Sequence, residues 1–320
     1  MILAGDLGGT KVNLGAYEQR NGKLRCIAKE RFASHEYARA EDVIQPFAKS
    51  FDGKITAACF DVAGPVVGNA VRATNLPWLV DGASLARLLK LDRVSLLNDL
   101  EATGYGVRVL EPADFEILQV GIAATHANQA LIAAGTGLGE AILFWMGDRH
   151  VPMATEGGHT DFASPSERID ELVRHLRKKY SQIECESLIS GRGFREIHEF
   201  LDPSKKHPGL DDPAADVAAG ITHRALDGSC RICVQAVELW VEIYGAEAGN
   251  LALRSLARGG VYVAGGIAVK ILPKLKDGPF ARSFAAKEKF RDFLSRIPIS
   301  VVLNEEAPLL GAAYFASLSE

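Results

Sequence analysis

The chain has 320 residues, a net charge of −4, 48% apolar and 24% charged residues, which is enough for one large or two ordinary domains with filled cores. It has no block of clustered Lys and Arg such as nucleic-acid binding requires, and no apolar run near the ~20 residues of a membrane helix, so neither nucleic acid nor a membrane is an expected partner. Asp6 within the first predicted strand argues against a signal peptide, and a cytoplasmic protein is expected.

In chain order, residues 2–17 predict a hairpin. Its second arm alternates Val12, Leu14 and Ala16 against Asn13, Gly15 and Tyr17, a period of two. Residues 55–62 read as an apolar strand ended by Ala63-Gly64-Pro65, and residues 66–73 as a further strand. Residues 84–91 predict a short helix and residues 94–97 a buried strand, broken by Asn98-Asp99 before a helix from Leu100 to Val107. Pro112 marks a connection. Residues 130–145 predict a second hairpin, and residues 169–180 an amphipathic helix whose basic end, Arg174 to Lys179, reads as a solvated face. Residues 201–213, rich in Pro, Asp and Lys, read as a loop. Residues 214–226 and 230–256 are long helical patterns. Strands follow at 259–263 and 297–303, and Glu305-Glu306-Ala307-Pro308 opens a final helix, with carboxylates and an early Pro where a helix N-terminus favours them. Strands that pair as hairpins among alternating helices predict an α/β fold with mixed sheets, in two halves that repeat one plan.

The most informative features are two glycine turns, Gly5-Asp6-Leu7-Gly8-Gly9-Thr10-Lys11 and Gly135-Thr136-Gly137-Leu138-Gly139, each between apolar strands. Such turns bring a backbone close to an anion. Neither opens a helix in a βαβ unit, as a dinucleotide fingerprint must, and neither has the GxxxxGK[ST] spacing of a P-loop. A third turn, Ala264-Gly265-Gly266-Ile267, follows a strand.

Polar residues gather at three places. Asp99 follows a buried strand, where α/β proteins bind ligands; it reads either as a base or as the cap of its helix. Glu156-Gly157-Gly158-His159-Thr160-Asp161 reads as a ligand-facing loop, or as a charged surface turn. Glu186 precedes Leu188-Ile189-Ser190-Gly191-Arg192-Gly193. Together Asn98, Glu156, His159 and Glu186 supply the carboxylate and amide partners that a polyol's hydroxyls need. The five cysteines, at 26, 59, 185, 230 and 233, show no disulfide framework, and Cys230-x-x-Cys233 reads as packing thiols between helices.

These motifs, in this order from residue 2 to the final helix, resemble the bacterial glucokinases, the hexokinase branch of the actin-like ATPase superfamily. The resemblance rests on Gly5 to Thr10, Leu97-Asn98-Asp99-Leu100, Gly135 to Gly139, Glu156 to Phe162, Glu186 to Gly191 and Ala264 to Ile267. It implies a two-domain, ribonuclease H-like α/β fold, mixed sheets flanked by helices with a central cleft. The small domain would comprise residues 1–108 plus 301–320 and the large one residues 109–300. It implies a glycolytic enzyme that phosphorylates glucose at the 6-hydroxyl. Asp99 would be the general base, and Asn98, Glu156, His159 and Glu186 would contact the sugar. Asp6, Gly8, Gly9, Thr10, Lys11, Gly135, Thr136, Gly137, Gly265 and Gly266 would face ATP, with Asp6 holding Mg²⁺ directly or through water.

The resemblance also implies a homodimer. Lys11 stands where some relatives carry Asn, and it reads either as a phosphate contact or as a solvated residue. The ROK kinases place a His of a comparable segment on zinc with a tight Cys cluster; with only Cys185 nearby, no structural zinc is expected. Alternatives are a kinase for mannose or an N-acetylated hexosamine, one that uses ADP or polyphosphate, and a sugar-sensing regulator. A strand starting at residue 2 leaves no room for the N-terminal helix-turn-helix of such regulators, and an actin- or Hsp70-like ATPase leaves the polyol residues unexplained.

Overall fold

The computed structural model describes residues 1–74, 76–202, 204 and 216–318. The chain divides into two compact units. One is Met1–Asp114 with the C-terminal stretch from Asn304, and the other is Phe115–Leu303.

The first unit is built on a five-stranded sheet of order β3-β2-β1-β4-β7, with β1 at Ile2–Leu7, β2 at Lys11–Arg20, β3 at Lys23–Ala33, β4 at Ala57–Val62 and β7 at Ser95–Asn98. β1 to β3 form an antiparallel meander, and β4 and β7 join it in parallel. Alternate residues of β1 serve opposite cores. Leu3 and Leu7 pack with Val12, Leu14, Phe47 and Phe60, while Ile2 and Ala4 pack with Ala102, Tyr105, Leu309 and Ala313. On that second face the helices Asp99–Gly106 and Ala307–Ser317 cross closely. A Cβ on Gly311 would run into the carbonyl of Ala102, so the absent side chain permits the approach. Two short strands, β5 (Ala70–Arg72) and β6 (Leu79–Asp81), pair antiparallel.

The second unit carries a six-stranded sheet, β11-β10-β9-β12-β13-β8. β9 (Gln129–Ala134), β10 (Leu138–Trp145) and β11 (His150–Thr155) form a meander. β12 (Val261–Ala264) and β13 (Ile299–Val302) add in parallel, and β8 (Phe115–Gln119) closes the far edge antiparallel. Apart from β8 the order repeats that of the first sheet, so the two glycine turns occupy the same topological place, each between the first two strands of a meander. The helix Arg231–Ser255 is buried along much of its length among the helices of this unit: its Trp240 stacks on Phe194 at 4.6 Å, and its Tyr244 hydroxyl donates to the Ile132 carbonyl at 3.2 Å.

Several expectations need correction. The predicted strand 66–73 is a strand only from Ala70. Gly68 and Asn69 both have positive φ (59° and 61°), which makes a tight turn closed by the Val67–Ala70 bridge. The Asn69 side chain then bonds the Val94 carbonyl and the Leu96 N–H, pinning β7. The helix expected over 84–91 is Gly82–Leu89, because the Asp81 side chain caps it through the Ser84 N–H at 2.7 Å. Lys179 is not simply part of a solvated basic face, since its ammonium donates to Glu196 at 3.0 Å and to Glu199 at 2.6 Å. Of the loop read over 201–213, only Leu201, Asp202 and Ser204 fall within the described residues.

Candidate active site

In the first unit three carboxylates stand at the carboxyl ends of neighbouring strands. Asp6 of β1 pairs in register with Asp61 of β4, and Asp99 follows β7. Asp61 is fully buried; burial first, and then the charges of Asp6 and Asp99, hold its carboxyl well above the usual range. Asp6 is also raised, by burial, with the Asn13 amide and the charges of Lys11 and Arg31 pulling the other way. Asn13 donates to Asp6 at 2.8 Å and accepts from the Arg31 guanidinium at 3.0 Å, a relay that fixes the Asp6 carboxylate. The charge of Lys11 therefore acts on this centre. The first glycine turn is closed by the Gly8 N–H on the Lys11 carbonyl at 3.0 Å, and the Ser34 hydroxyl braces the Gly8 carbonyl at 2.7 Å.

The capping role left open for Asp99 is taken by its neighbour Asn98. Asn98 is the helix cap: its Oδ1 accepts from the Leu100 N–H at 2.9 Å, while the Glu101 carboxylate reaches back to the Asn98 N–H at 3.1 Å. Its amide nitrogen donates to the Gly64 carbonyl at 3.1 Å and carries a second hydrogen for a ligand. Asp99, the first helical residue, rests one oxygen on the Leu100 N–H at 3.1 Å. That N–H lies at the positive end of the helix.

The second unit gathers the other residues. Glu156 ends the segment after β11, and Gly157–His159 form a single 3₁₀ turn. The loop is tied to the 183–186 segment by Phe162 N–H to the Ile183 carbonyl at 2.9 Å and Cys185 N–H to the Thr160 carbonyl at 3.1 Å. The His159 Nδ1–H donates to Glu184 at 2.7 Å, and Nε2 lies 3.9 Å from the Glu156 carboxylate. The bond to Glu184 raises the imidazole's pKa, opposed by partial desolvation and aided by the charges of Glu186, Glu184 and Glu156. Glu186 accepts from the Leu138 N–H at 2.9 Å, so a predicted sugar contact sits on the second glycine turn itself. Beneath the loop, buried Glu140 meets the Arg254 guanidinium at 3.1 Å; its pKa is pushed up to about 8 by burial and then by Glu247, which Arg254 also bonds.

A pocket of about 640 Å³ opens beside Gly135 and Thr136. Its walls are Gly191 and Phe194, then Val217, Ala218 and Thr222, then Gly266 and Ile267, with Arg192, Arg195 and Lys270 at its edges. The volume falls within the range of small-ligand sites, and an apolar floor beside a glycine turn suits a flat ring next to an anion. Predicted residues Gly135, Thr136 and Gly266 line it directly, and Gly265 precedes Gly266 with φ of 88°.

The sequence reading missed Asp61, Asn13, Glu184, Glu140 and Arg254. Asp61 had a signal, as a lone acid inside the apolar run Ala57–Val62. Glu184 stands two residues before Glu186 and caps the helix Cys185–Leu188, and its link to the site is its contact with His159.

Two α/β sheets of repeated topology, each with a glycine turn, and acids at the strand ends of the first place the chain in the class of sugar kinases with the actin-like ATPase fold. Solved structures agree. A glucokinase from an Antarctic psychrotroph aligns with a TM-score of 0.87 at 25% identity, over 99% of this chain and 98% of its own. A Balamuthia mandrillaris glucokinase in complex with glucose aligns at 0.79 and 21%, over 99% and 93%. Within that class, the Glucokinase family model matches residues 3–319, and a curated glucokinase of a Nostoc species is 37% identical over 99% of both chains. The chain belongs to the glucokinase family.

Proposed function

We propose that the protein transfers the γ-phosphoryl group of ATP to the 6-hydroxyl of glucose, with Asp99 as general base. The observation that carries this is the placement of Asp99: it heads its helix at the carboxyl end of β7, in line with Asp6 and Asp61 at the ends of the neighbouring strands, while the helix cap is supplied by Asn98. In this reading Glu156, His159, Glu186 and the second amide hydrogen of Asn98 take the sugar hydroxyls. Glu184 fixes the His159 ring so that Nε2 faces the ligand. The two glycine turns, with Thr10, Lys11 and Thr136, cradle the phosphates, and the apolar pocket beside Gly266 takes the nucleoside.

The oxygen donors of Asp6, beside Asp61, suit a hard cation, and Asp6 would hold Mg²⁺ directly or through water. When bound, the ion would neutralise charge on the β- and γ-phosphates. Asp99 accepts the 6-hydroxyl proton as that oxygen attacks the γ-phosphorus and ADP leaves. The same reading makes residues 1–108 plus 301–320 and residues 109–300 the domains of a closing kinase. It also makes the protein a cytoplasmic homodimer.

A coupled assay with a panel of hexoses, each with ATP and with ADP, tests the proposal. Glucose with ATP is expected to give the highest kcat/KM. A higher value with mannose or an N-acetylated hexosamine would overturn the substrate assignment, and turnover with ADP or polyphosphate in place of ATP would overturn the donor. Binding of glucose without turnover under any donor would make the protein a sensor.

A further inference from the structure

Cys230 and Cys233 have no part in the reaction above, and they do not stand alone. Cys230 is the N-cap of the helix Arg231–Ser255, and Cys233 lies one turn on, fully buried, its N–H on the Cys230 sulfur at 3.3 Å. The helix Gly191–Leu201 brings in His198, also fully buried. One ligand atom from each of the three lies within 4.8 Å of the other two. We infer that His198, Cys230 and Cys233 form a binding site for a soft divalent transition metal, zinc by preference.

The argument is geometric and chemical. A tetrahedral ion with bonds of ~2.3 Å to sulfur and ~2.0 Å to nitrogen holds its ligand atoms ~3.5–3.8 Å apart. The three donors here lie within 4.8 Å of one another, at most about an ångström beyond that spacing. Spacing of i and i+3 at a helix start puts both sulfurs on one face. Two thiolates and an imidazole select zinc-like ions over Mg²⁺, which takes oxygen donors, so this site and the Asp6 centre would not compete for one metal. Three protein ligands leave a fourth position for water.

The site is separate from the ROK-type zinc whose absence the sequence predicts, because that one would include the His159 segment. Its place in the fold suggests a consequence. The two helices it joins flank Val217–Leu226, and Gly191, Phe194, Val217, Ala218 and Thr222 wall the 640 Å³ pocket. A bound ion would staple the far end of that wall.

The test uses the full chain, reduced and freed of metal, titrated with Co²⁺ as a spectroscopic probe. The expected result is intense visible d–d absorption of a tetrahedral ion with a thiolate-to-cobalt charge-transfer band. One equivalent of Zn²⁺ should bleach both, and Zn²⁺ should raise Tm. Cys230→Ser with Cys233→Ser should abolish the bands, whereas Cys26→Ser, at an exposed position elsewhere, should leave them unchanged. The weak spectrum of octahedral Co²⁺ in the parent protein would overturn the assignment without recourse to any variant. So would bands that persist in the double variant, or a parent protein whose Tm ignores Zn²⁺.

Discussion

Replacing Asp99 by Asn separates the two roles that adjacent Asn98 and Asp99 could share. The structural cost is small. Asn98 keeps the cap through the Leu100 N–H, the Glu101 carboxylate still reaches the Asn98 N–H, and the new amide oxygen can replace the Asp99 contact to Leu100. What is lost is one negative charge at a helix N-terminus, worth ~0.3–1 kcal/mol. In a chain of this size that lowers Tm by no more than ~4 °C. The catalytic cost is larger. A positioned base contributes ~10²–10⁴-fold, and at ~1.36 kcal/mol per decade the lower end is about 2.7 kcal/mol. Continuous formation of the sugar phosphate should therefore show kcat reduced by more than ~10²-fold, while calorimetry shows glucose binding within a few-fold of the parent. A kcat within tenfold of the parent, in a variant with unchanged glucose affinity, would remove Asp99 from proton transfer and leave it an ornament of its helix.

Glu156→Gln should raise the glucose KM with little change in kcat, because the role proposed for the carboxylate is to hold a sugar hydroxyl; an unchanged KM would refute the contact. Glu184→Gln should shift the pH dependence of glucose binding. In the parent the raised histidine pKa means that the His159⁺–Glu184 pair is fully formed below the ordinary histidine range and is lost as pH rises through the raised value. Without the Glu184 charge that loss should move to lower pH, and superimposable KM–pH profiles would show that Glu184 does not tune His159. Glu140→Gln probes the buried acid beneath the loop. Its folded pKa of about 8 exceeds the unfolded value, so its contribution is complete below the ordinary carboxylate range and fades as pH climbs to about 8. Thermal melts should therefore show the variant gaining on the parent as pH rises from the ordinary carboxylate range to about 8, and a constant difference would mean that Glu140 is ionised throughout.

The parts of the structure legible from the sequence are those whose burial leaves a pattern, an alternation in β2 or a continuous apolar run in β4. The alternation of Val12, Leu14 and Ala16 marks β2 because its inner face fills the core. β3 escaped notice because it is an edge strand whose Lys23, Arg25, Lys29 and Arg31 meet solvent, and such charges discourage pairing with other chains. The helix Ala40–Lys49 was hidden by an internal Pro46. In the candidate site the residue types were legible and the pairings were not. Two adjacent capping residues do not reveal in sequence which one caps. The bonds of His159 to Glu184 and of Glu186 to Leu138, and the grouping of His198 with Cys230 and Cys233, depend on how elements remote in sequence are set against each other. Hydrophobic periodicity fixes elements and says little of that.

The repeated topology makes the difference between the two sheets informative. In the first, the equivalent strand ends carry Asp6, Asp61 and Asp99. In the second, β9, β12 and β13 end in Ala133-Ala134, Val263-Ala264 and Val301-Val302. Two sheets of one plan thus present opposite chemistry at corresponding places. The first concentrates acids that can hold a cation and accept a proton. The second has stripped its strand ends of charge, leaving an apolar wall beside a glycine turn. A phosphoryl-transfer enzyme needs both kinds of surface, one for charge and one for a flat base. A fold whose halves had remained alike would supply one of them twice and the other not at all. Charges placed at the second set of ends, Ala134→Asp or Ala264→Asp, should for that reason weaken nucleotide binding more than sugar binding, and an equal loss of both would break the link between this asymmetry and the two ligands.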